Sequence, residues 1–265
     1  MQDFEAGIRQ RDLQGLNGTL DEASCCSYGK AMKSALFRSV LAALPLLVSA
    51  PSTAAEKRYA ISDFDRVQIF GPFNVAIQTG RATSVTASGD VRALDSVSVT
   101  SSGGVLTIQT LSRTRSSWKE QPHAAARLVV VLPQLKGLRL LGAGTVSAAE
   151  MRGITTEVTL NGSGQISIAR LASDTATAQL SGSGRIRLGG TAKNFSANIS
   201  GSGDLDASQL STSDLKIVSA TSGRVMARAS RTANVKQNGA GEVRISGSPS
   251  CLVENLGTGS ASCGD

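Results

Sequence analysis

Seven small triplets at an almost constant spacing restrict this chain to a repeating architecture. Gly142-Ala143-Gly144, Gly162-Ser163-Gly164, Gly182-Ser183-Gly184 and Gly201-Ser202-Gly203 begin 20, 20 and 19 residues apart. The degenerate copy Thr221-Ser222-Gly223 follows after 20, then Gly239-Ala240-Gly241 and Gly257-Thr258-Gly259 at steps of 18. A single period of this length marks a solenoid, whose units bury their apolar faces only against their neighbours.

The flanks repeat with the triplets. Two residues past each triplet stand Val146, Ile166, Ile186, Leu205, Val225 and Val243; four past stand Ala148, Ile168, Leu188, Ala207, Ala227 and Ile245. Four before stand Leu138, Val158, Ala178, Ala197, Ile217, Val235 and Val253. Two before stand Leu140, Leu160, Leu180 and Ile199, then polar Ser219 and Gln237. Intervening positions are mostly polar, the period-two alternation of a half-buried strand. Each repeat therefore reads as strand, glycine corner, strand and a looser remaining side. A repeat of this length is too short for a strand–helix–strand unit. The expected object is an all-β solenoid, a parallel β-helix with coils of about twenty residues stacked ~4.8 Å apart and Gly-x-Gly corners. A flat antiparallel array of the same period is the alternative.

The first half is less regular but also strand-like. Val67 to Ile69, Asn74 to Gln78, Val97 to Val99, Val105 to Gln109 and Arg127 to Leu132 are β-branched or alternating, with Gly and Pro between them. Aromatic residues make up only 3% of the chain, which suits a narrow coil filled by Ala, Val, Ile and Leu.

Ahead of the fold, Lys33, Arg38 and the apolar run Leu41 to Val48, followed by the small residues Ser52 to Ala55, read as a secretory leader over residues 32–55. Residues 1–31 are expected to be a non-native extension from an over-long reading frame, and residues 56–265 a single domain. The apolar run falls short of the ~20 residues of a membrane-spanning helix, so no transmembrane segment is expected once the leader is removed; an uncleaved signal anchor is the alternative. From Glu56 onward, 22 basic and 15 acidic residues leave a charge of +7. The two cysteines there, Cys251 and Cys263, are expected to form a disulfide in an exported chain, as a cap over the carboxyl end that Leu252, Val253 and Leu256 would cover.

The run Phe64-Asp65-Arg66-Val67-Gln68-Ile69-Phe70-Gly71-Pro72-Phe73-Asn74-Val75-Ala76-Ile77-Gln78-Thr79-Gly80 resembles the opening of the head GIN domain family, named for auto-transporter adhesin heads. Gly104-Val105-Leu106-Thr107-Ile108, Pro133-Gln134-Leu135-Lys136-Gly137-Leu138 and the Gly-Ser-Gly series continue the likeness in order, over about residues 60 to 250. The resemblance implies a right-handed β-helix in an exported bacterial protein. It supplies no catalytic residues. An auto-transporter also needs a membrane barrel, for which the residues after the repeats leave no room, so the expectation is a stand-alone, passenger-like domain.

One His and no CxxC pair leave no metal or cofactor site to expect. The first outward position after each triplet runs Thr145, Gln165, Arg185, Asp204, Arg224, Glu242, which stacked coils would turn into a ladder of alternating charge. Asp204 and Asp206 share that outward face at the roughly 6.5–7 Å separation that inverting glycoside hydrolysis uses. Arg185, Arg187, Arg224 and Arg244 could bind an acidic sugar beside them. No apolar surroundings raise either carboxyl pKa, as a general acid requires, so the ladder reading is preferred. Trp118, in a polar loop with Arg113, Arg115, Lys119 and His123, is either an aromatic platform for a partner or a lid over the core.

The expected function is that of a non-enzymatic adhesin or cell-envelope interaction module of the periplasm, cell surface or exterior. Its partners would be a glycan or cell-surface polymer, or a protein pairing with the coil ends. Nucleic acid is not expected, because basic residues are not interleaved with aromatics. A polysaccharide-cleaving enzyme and a purely structural assembly module are the alternatives; a pocket around Asp204 and Asp206 holding an ordered cation would favour the first and uncovered terminal strands the second.

Overall fold

A computed structural model of the chain describes residues 55–80, 82–111 and 126–264. The leader region, Trp118, His123 and their basic neighbours lie outside the described residues.

Alternation of apolar and polar residues lets one face of each ribbon turn inward, and in the repeats this alternation is nearly unbroken. After β8 (Gly137–Leu141), strands β9 (Thr145–Gly162), β10 (Gln165–Gly182), β11 (Arg185–Gly201), β12 (Asp204–Thr221) and β13 (Arg224–Gln237) each follow almost a full coil. Successive coils pair in parallel, and like positions stack: Val146, Ile166, Ile186, Leu205, Val225 and Val243 form one continuous rung column. All six are at most 1% exposed, as inward ladder positions must be. The repeats are thus the expected parallel β-solenoid, and the antiparallel array is excluded.

Each coil has three sides. In β10 the first side, Gln165–Ile168, follows the corner; the second begins near Leu171; the third, Ala176–Ser181, leads into the next corner. The second side was expected to be loose, yet strand geometry continues through it, broken only by bulges. These fall between Ile168 and Leu171, Arg187 and Gly189, Ala207 and Ser211, and Thr212 and Asp214. They absorb the unequal coil lengths. Where coil β11 is one residue short, Gly190 takes the place of the inward Leu171. That same coil carries buried Phe195 where β10 has Ala176, so volume lost on one side is regained on another.

The corners explain the glycines in two different ways. At the first position, Gly162, Gly182 and Gly201 have φ of 127°, 115° and 105°, a region closed to most side chains. At the third position the reason is close approach. A Cβ on Gly164, Gly184 or Gly203 would lie 2.6, 2.5 or 2.6 Å from a carbonyl oxygen of the preceding coil. Thr221 departs from the pattern, and its hydroxyl compensates by donating to the Gly203 carbonyl (3.1 Å) and accepting from the Gly223 N–H (3.0 Å).

At the amino-terminal end the coils interleave. Strands β2 (Arg66–Phe70) and β3 (Asn74–Thr79) flank a Gly71-Pro72-Phe73 corner and stack in parallel on β8 and β9. Later strands β6 (Val105–Thr110) and β7 (Arg127–Leu132) stack on the outer edges of β2 and β3. Three strands then close that end with antiparallel pairing. β5 (Val97–Ser102) pairs β6, β4 (Ser84–Gly89) pairs β7, and β1 (Ala55–Tyr59) pairs β4. The short helix α1 (Val91–Asp95) joins β4 to β5, its N-cap Asp90 accepting from the Arg92 N–H.

Among the described residues no strand covers the last coil. β14 (Glu242–Ser246) and β15 (Ser250–Asn255) extend the first and third sides, and β16 (Ser260–Cys263) lies on β14. The disulfide between Cys251 and Cys263 is present, with Cα atoms 6.3 Å apart. The covering role expected for Leu252, Val253 and Leu256 is not. These residues continue the third side and its following corner as a further coil, and Leu252 and Leu256 remain 66% exposed.

Candidate functional site

The outward face of the first side carries the charged residues singled out above, and alternation of the strand is what points them to solvent. Arg185 stands beside Asp204 in register, and its guanidinium reaches that carboxylate at 2.7 Å. The second Asp204 oxygen accepts the backbone N–H of Arg224 at 2.9 Å. Arg224 then pairs with Glu242 at 3.4 Å, and Arg244 donates to the same Glu242 from within its own strand. The ladder of alternating charge is therefore closed on itself across four coils.

Asp204 is held below the usual carboxylate range, first by the Arg224 N–H and then by the Arg185 guanidinium. Asp206 accepts the Ser208 N–H and hydroxyl at 3.2 and 2.7 Å, a local turn-forming pattern. Arg187 lies beside Asp206 in register but has no ion-pair partner among the described residues.

The structure divides these residues between two recesses. Asp204, Arg224 and Glu242 line an open groove of about 660 Å³ beside the glycine corners. Arg187 and Asp206 line a pocket of about 200 Å³ formed where Gly189 shortens the coil. Asp204 and Asp206 thus face different spaces. Asp204 also lacks the raised pKa by which a carboxyl keeps a proton to give at neutral pH. No cluster of three or more metal-ligating side chains occurs among the described residues, and no helix there is long and apolar enough to cross a membrane.

Sequence reasoning missed a larger feature on the second side. A groove of about 720 Å³ crosses five coils there, its outward row running Arg152, Ala172, Thr191, Ser211, Arg228 from β9 to β13. The uneven steps between triplets were its only trace in the sequence, since unequal coils produce the bulges that shape this side.

The family model described as "Putative auto-transporter adhesin, head GIN domain" matches residues 63–249. In fold the chain is similar to a crystal structure titled a putative adhesin from Bacteroides fragilis. The TM-score is 0.71 at 17% identity, with 81% of this chain and 98% of that one covered. It is similar also to a structure titled a putative lipid binding protein from Parabacteroides distasonis, at TM-score 0.65, 20% identity and coverage of 81% and 98%. A third, titled a putative adhesin from Parabacteroides merdae, has TM-score 0.58 at 15% identity and coverage of 81% and 97%. No curated protein matches the sequence. The match over most of the chain agrees with the opening run, the glycine corners and the stacked coils, and the chain belongs to the head GIN domain family.

Proposed function

We propose that this protein is an exported, adhesin-type head that holds a cell-surface or envelope polymer against the lateral faces of its solenoid. The observation that carries this reading is the self-neutralised outward ladder of the first side. Asp204, held low by the Arg224 N–H and the Arg185 guanidinium, serves there as a fixed charge, while open grooves on either flank admit an extended ligand. Family membership and the adhesin-titled neighbours support the same direction. Arg185, Arg187, Asp204, Asp206, Arg224, Arg244 and Trp118 are proposed as contact residues, with Arg187 the cation best able to accept a new partner.

Two measurements test the proposal. Amino-terminal sequencing of protein recovered from the native host should find a start between Pro51 and Lys57. Purified protein should sediment with intact cells or isolated envelopes. Intact Met1 in cytosolic protein would remove the export reading, and protein that stays in the supernatant with every envelope fraction would remove the adhesin reading.

A second reading, assembly through the coil end, is favoured by the edge of β15. All six of its residues are exposed. The occupant proposed is a second copy, because Glu254 is already neutralised by Lys236 at 3.1 Å and two such ends can meet without like-charge repulsion. Sedimentation velocity of wild-type protein and Leu252→Lys tests it. A dimer that the substitution dissolves supports assembly, and a wild-type monomer at high concentration removes it.

A further inference from the structure

We propose that the groove on the second side binds a linear acidic glycan, a single chain lying along the solenoid axis. This rests on reading the protein as a surface-binding head, and it names the face and the ligand class.

The groove's shape follows from the coil lengths. Relative to β12, coil β13 omits residues before Arg228 and gains one after Ala229, so the two coils do not run in step along this side. The floor is built of small residues, Gly153, Ala172, Ala192 and Ala229 among them, which leaves room for a chain of sugar rings. From Arg152 to Arg228 the groove spans four coil steps, about 19 Å at ~4.8 Å each.

Its chemistry fits a polyhydroxylated polyanion. Arg152, Lys193 and Arg228 line it against one carboxylate, Asp174. Arg228 has no ion-pair partner among the described residues. Lys193 pairs with Asp174 at 2.7 Å, but both side chains are at least half exposed, so a ligand carboxylate can replace that weak pairing. Arg152 is likewise exposed and bonded only to Glu150 of its own strand. Between the cations stand the hydroxyls of Thr191, Ser211 and Ser213, each able to donate to and accept from a sugar hydroxyl.

Other polyanions fit less well. A bilayer surface is flat and does not enter a recess, and the lining offers no aromatic face on which nucleic-acid bases could stack.

The test measures affinity electrophoresis of the purified protein in gels containing polygalacturonate, alginate or hyaluronate, with neutral dextran as control. Two variants are compared: R152A/K193A/R228A in the groove and R139A/K216A on the third side. All five side chains are exposed, and matching thermal melts establish that both variants fold. The expected result is retardation by at least one acidic glycan and none by dextran. The groove variant should bind about tenfold or more weakly, and the third-side variant as wild type. Equal binding by the groove variant, or loss confined to the third-side variant, overturns the proposal. Wild-type protein that sediments with cells but binds none of the three glycans overturns the groove assignment alone; binding instead to phosphatidylglycerol vesicles replaces it with a lipid surface. Failure in both assays overturns the surface-binding reading as well.

Discussion

Cys251 stacks on Ala233 and Cys263 on Ile245, so both cysteines occupy inward rung positions and their disulfide joins the start of β15 to the end of β16. In earlier coils that interval is spanned by the backbone of the second side. Here the disulfide closes the ring instead, while β15 itself stays exposed. A loop of 12 residues closed in this way should contribute roughly 3 kcal/mol. Denaturant melts of the Cys251→Ser/Cys263→Ser protein should show that loss, and hydrogen exchange should show it as earlier opening of β15 and β16. Unchanged melts would mean that the terminal coil is held by its strand pairing alone.

The two faces of a strand should differ sharply in their effect on stability. Ile186 is fully buried between Ile166 and Leu205, whereas its neighbour Arg185 is exposed and ion-paired. Ile186→Ala is expected to cost about 2–5 kcal/mol, and Arg185→Ala less than about 1 kcal/mol. Urea denaturation of the two variants checks the order, and a reversal would mean that the inward and outward faces had been exchanged.

The corner glycines should tolerate nothing larger at the third position. In Gly184→Ala the new methyl would meet the Gly164 carbonyl oxygen at 2.5 Å, a backbone atom that cannot yield, with Leu160 Cδ2 at 2.7 Å as well. We expect a loss of about 3 kcal/mol, against little change for Ser183→Ala at the exposed middle position. Thermal melts of the pair distinguish close approach from a general preference for small residues.

These corners show how much of the architecture could be read directly. Period, rung columns and corner positions were legible because each coil repeats the same local solution, so Ile166 announces Ile186 and Leu205. The interleaved end was not, because Gly71-Pro72-Phe73 does the work of a triplet without its glycine pattern, and nothing local says that β6 and β7 return to the outer edges of β2 and β3. The second side was hidden for a related reason. Its strands carry bulges, and bulges disturb the alternation by which strands are recognised. Of the candidate site, the Arg185–Asp204 pairing was legible from the ladder, while the separation of Asp204 from Asp206 into different recesses depends on the Ser208 turn and the shortened coil at Gly189.

Acid should weaken the ladder in a defined direction. The Asp204 pKa is depressed in the folded protein, so its stabilising contribution is fully present above the ordinary carboxylate value of about 3.9 and is lost as pH falls through the lower folded value. Asp214, depressed by the Arg231 guanidinium and the Thr232 hydroxyl, acts in the same sense. Between pH 5 and pH 2 the Tm of wild-type protein should therefore fall more steeply than that of Asp204→Asn/Asp214→Asn. Parallel curves would show that these carboxylates titrate alike in the folded and unfolded chains.

The last prediction concerns a defect inside the coil. Leu140, Leu160, Leu180 and Ile199 fill one inward column, which then continues as Ser219 and Gln237, both fully buried. The Gln237 amide donates to the Gly241 carbonyl at 3.1 Å, which gives that side chain a role at its corner. The Ser219 hydroxyl has no hydrogen-bond partner. A buried hydroxyl without a partner costs roughly 1–3 kcal/mol of desolvation, so removing it should stabilise the fold. Ser219→Ala is expected to raise stability by about 1 kcal/mol, the small void left behind offsetting part of the gain. Gln237→Leu would restore the apolar column and remove the unpartnered Gln237 Oε1, but it gives up the amide's bonds to the Gly239 and Gly241 carbonyls, the latter still held by the Ser260 N–H, so it should gain less than Ser219→Ala. Urea melts of the two variants decide between a polar group retained for its bonding and one that merely interrupts the core, and a destabilised Ser219→Ala would place a bonded partner at that hydroxyl.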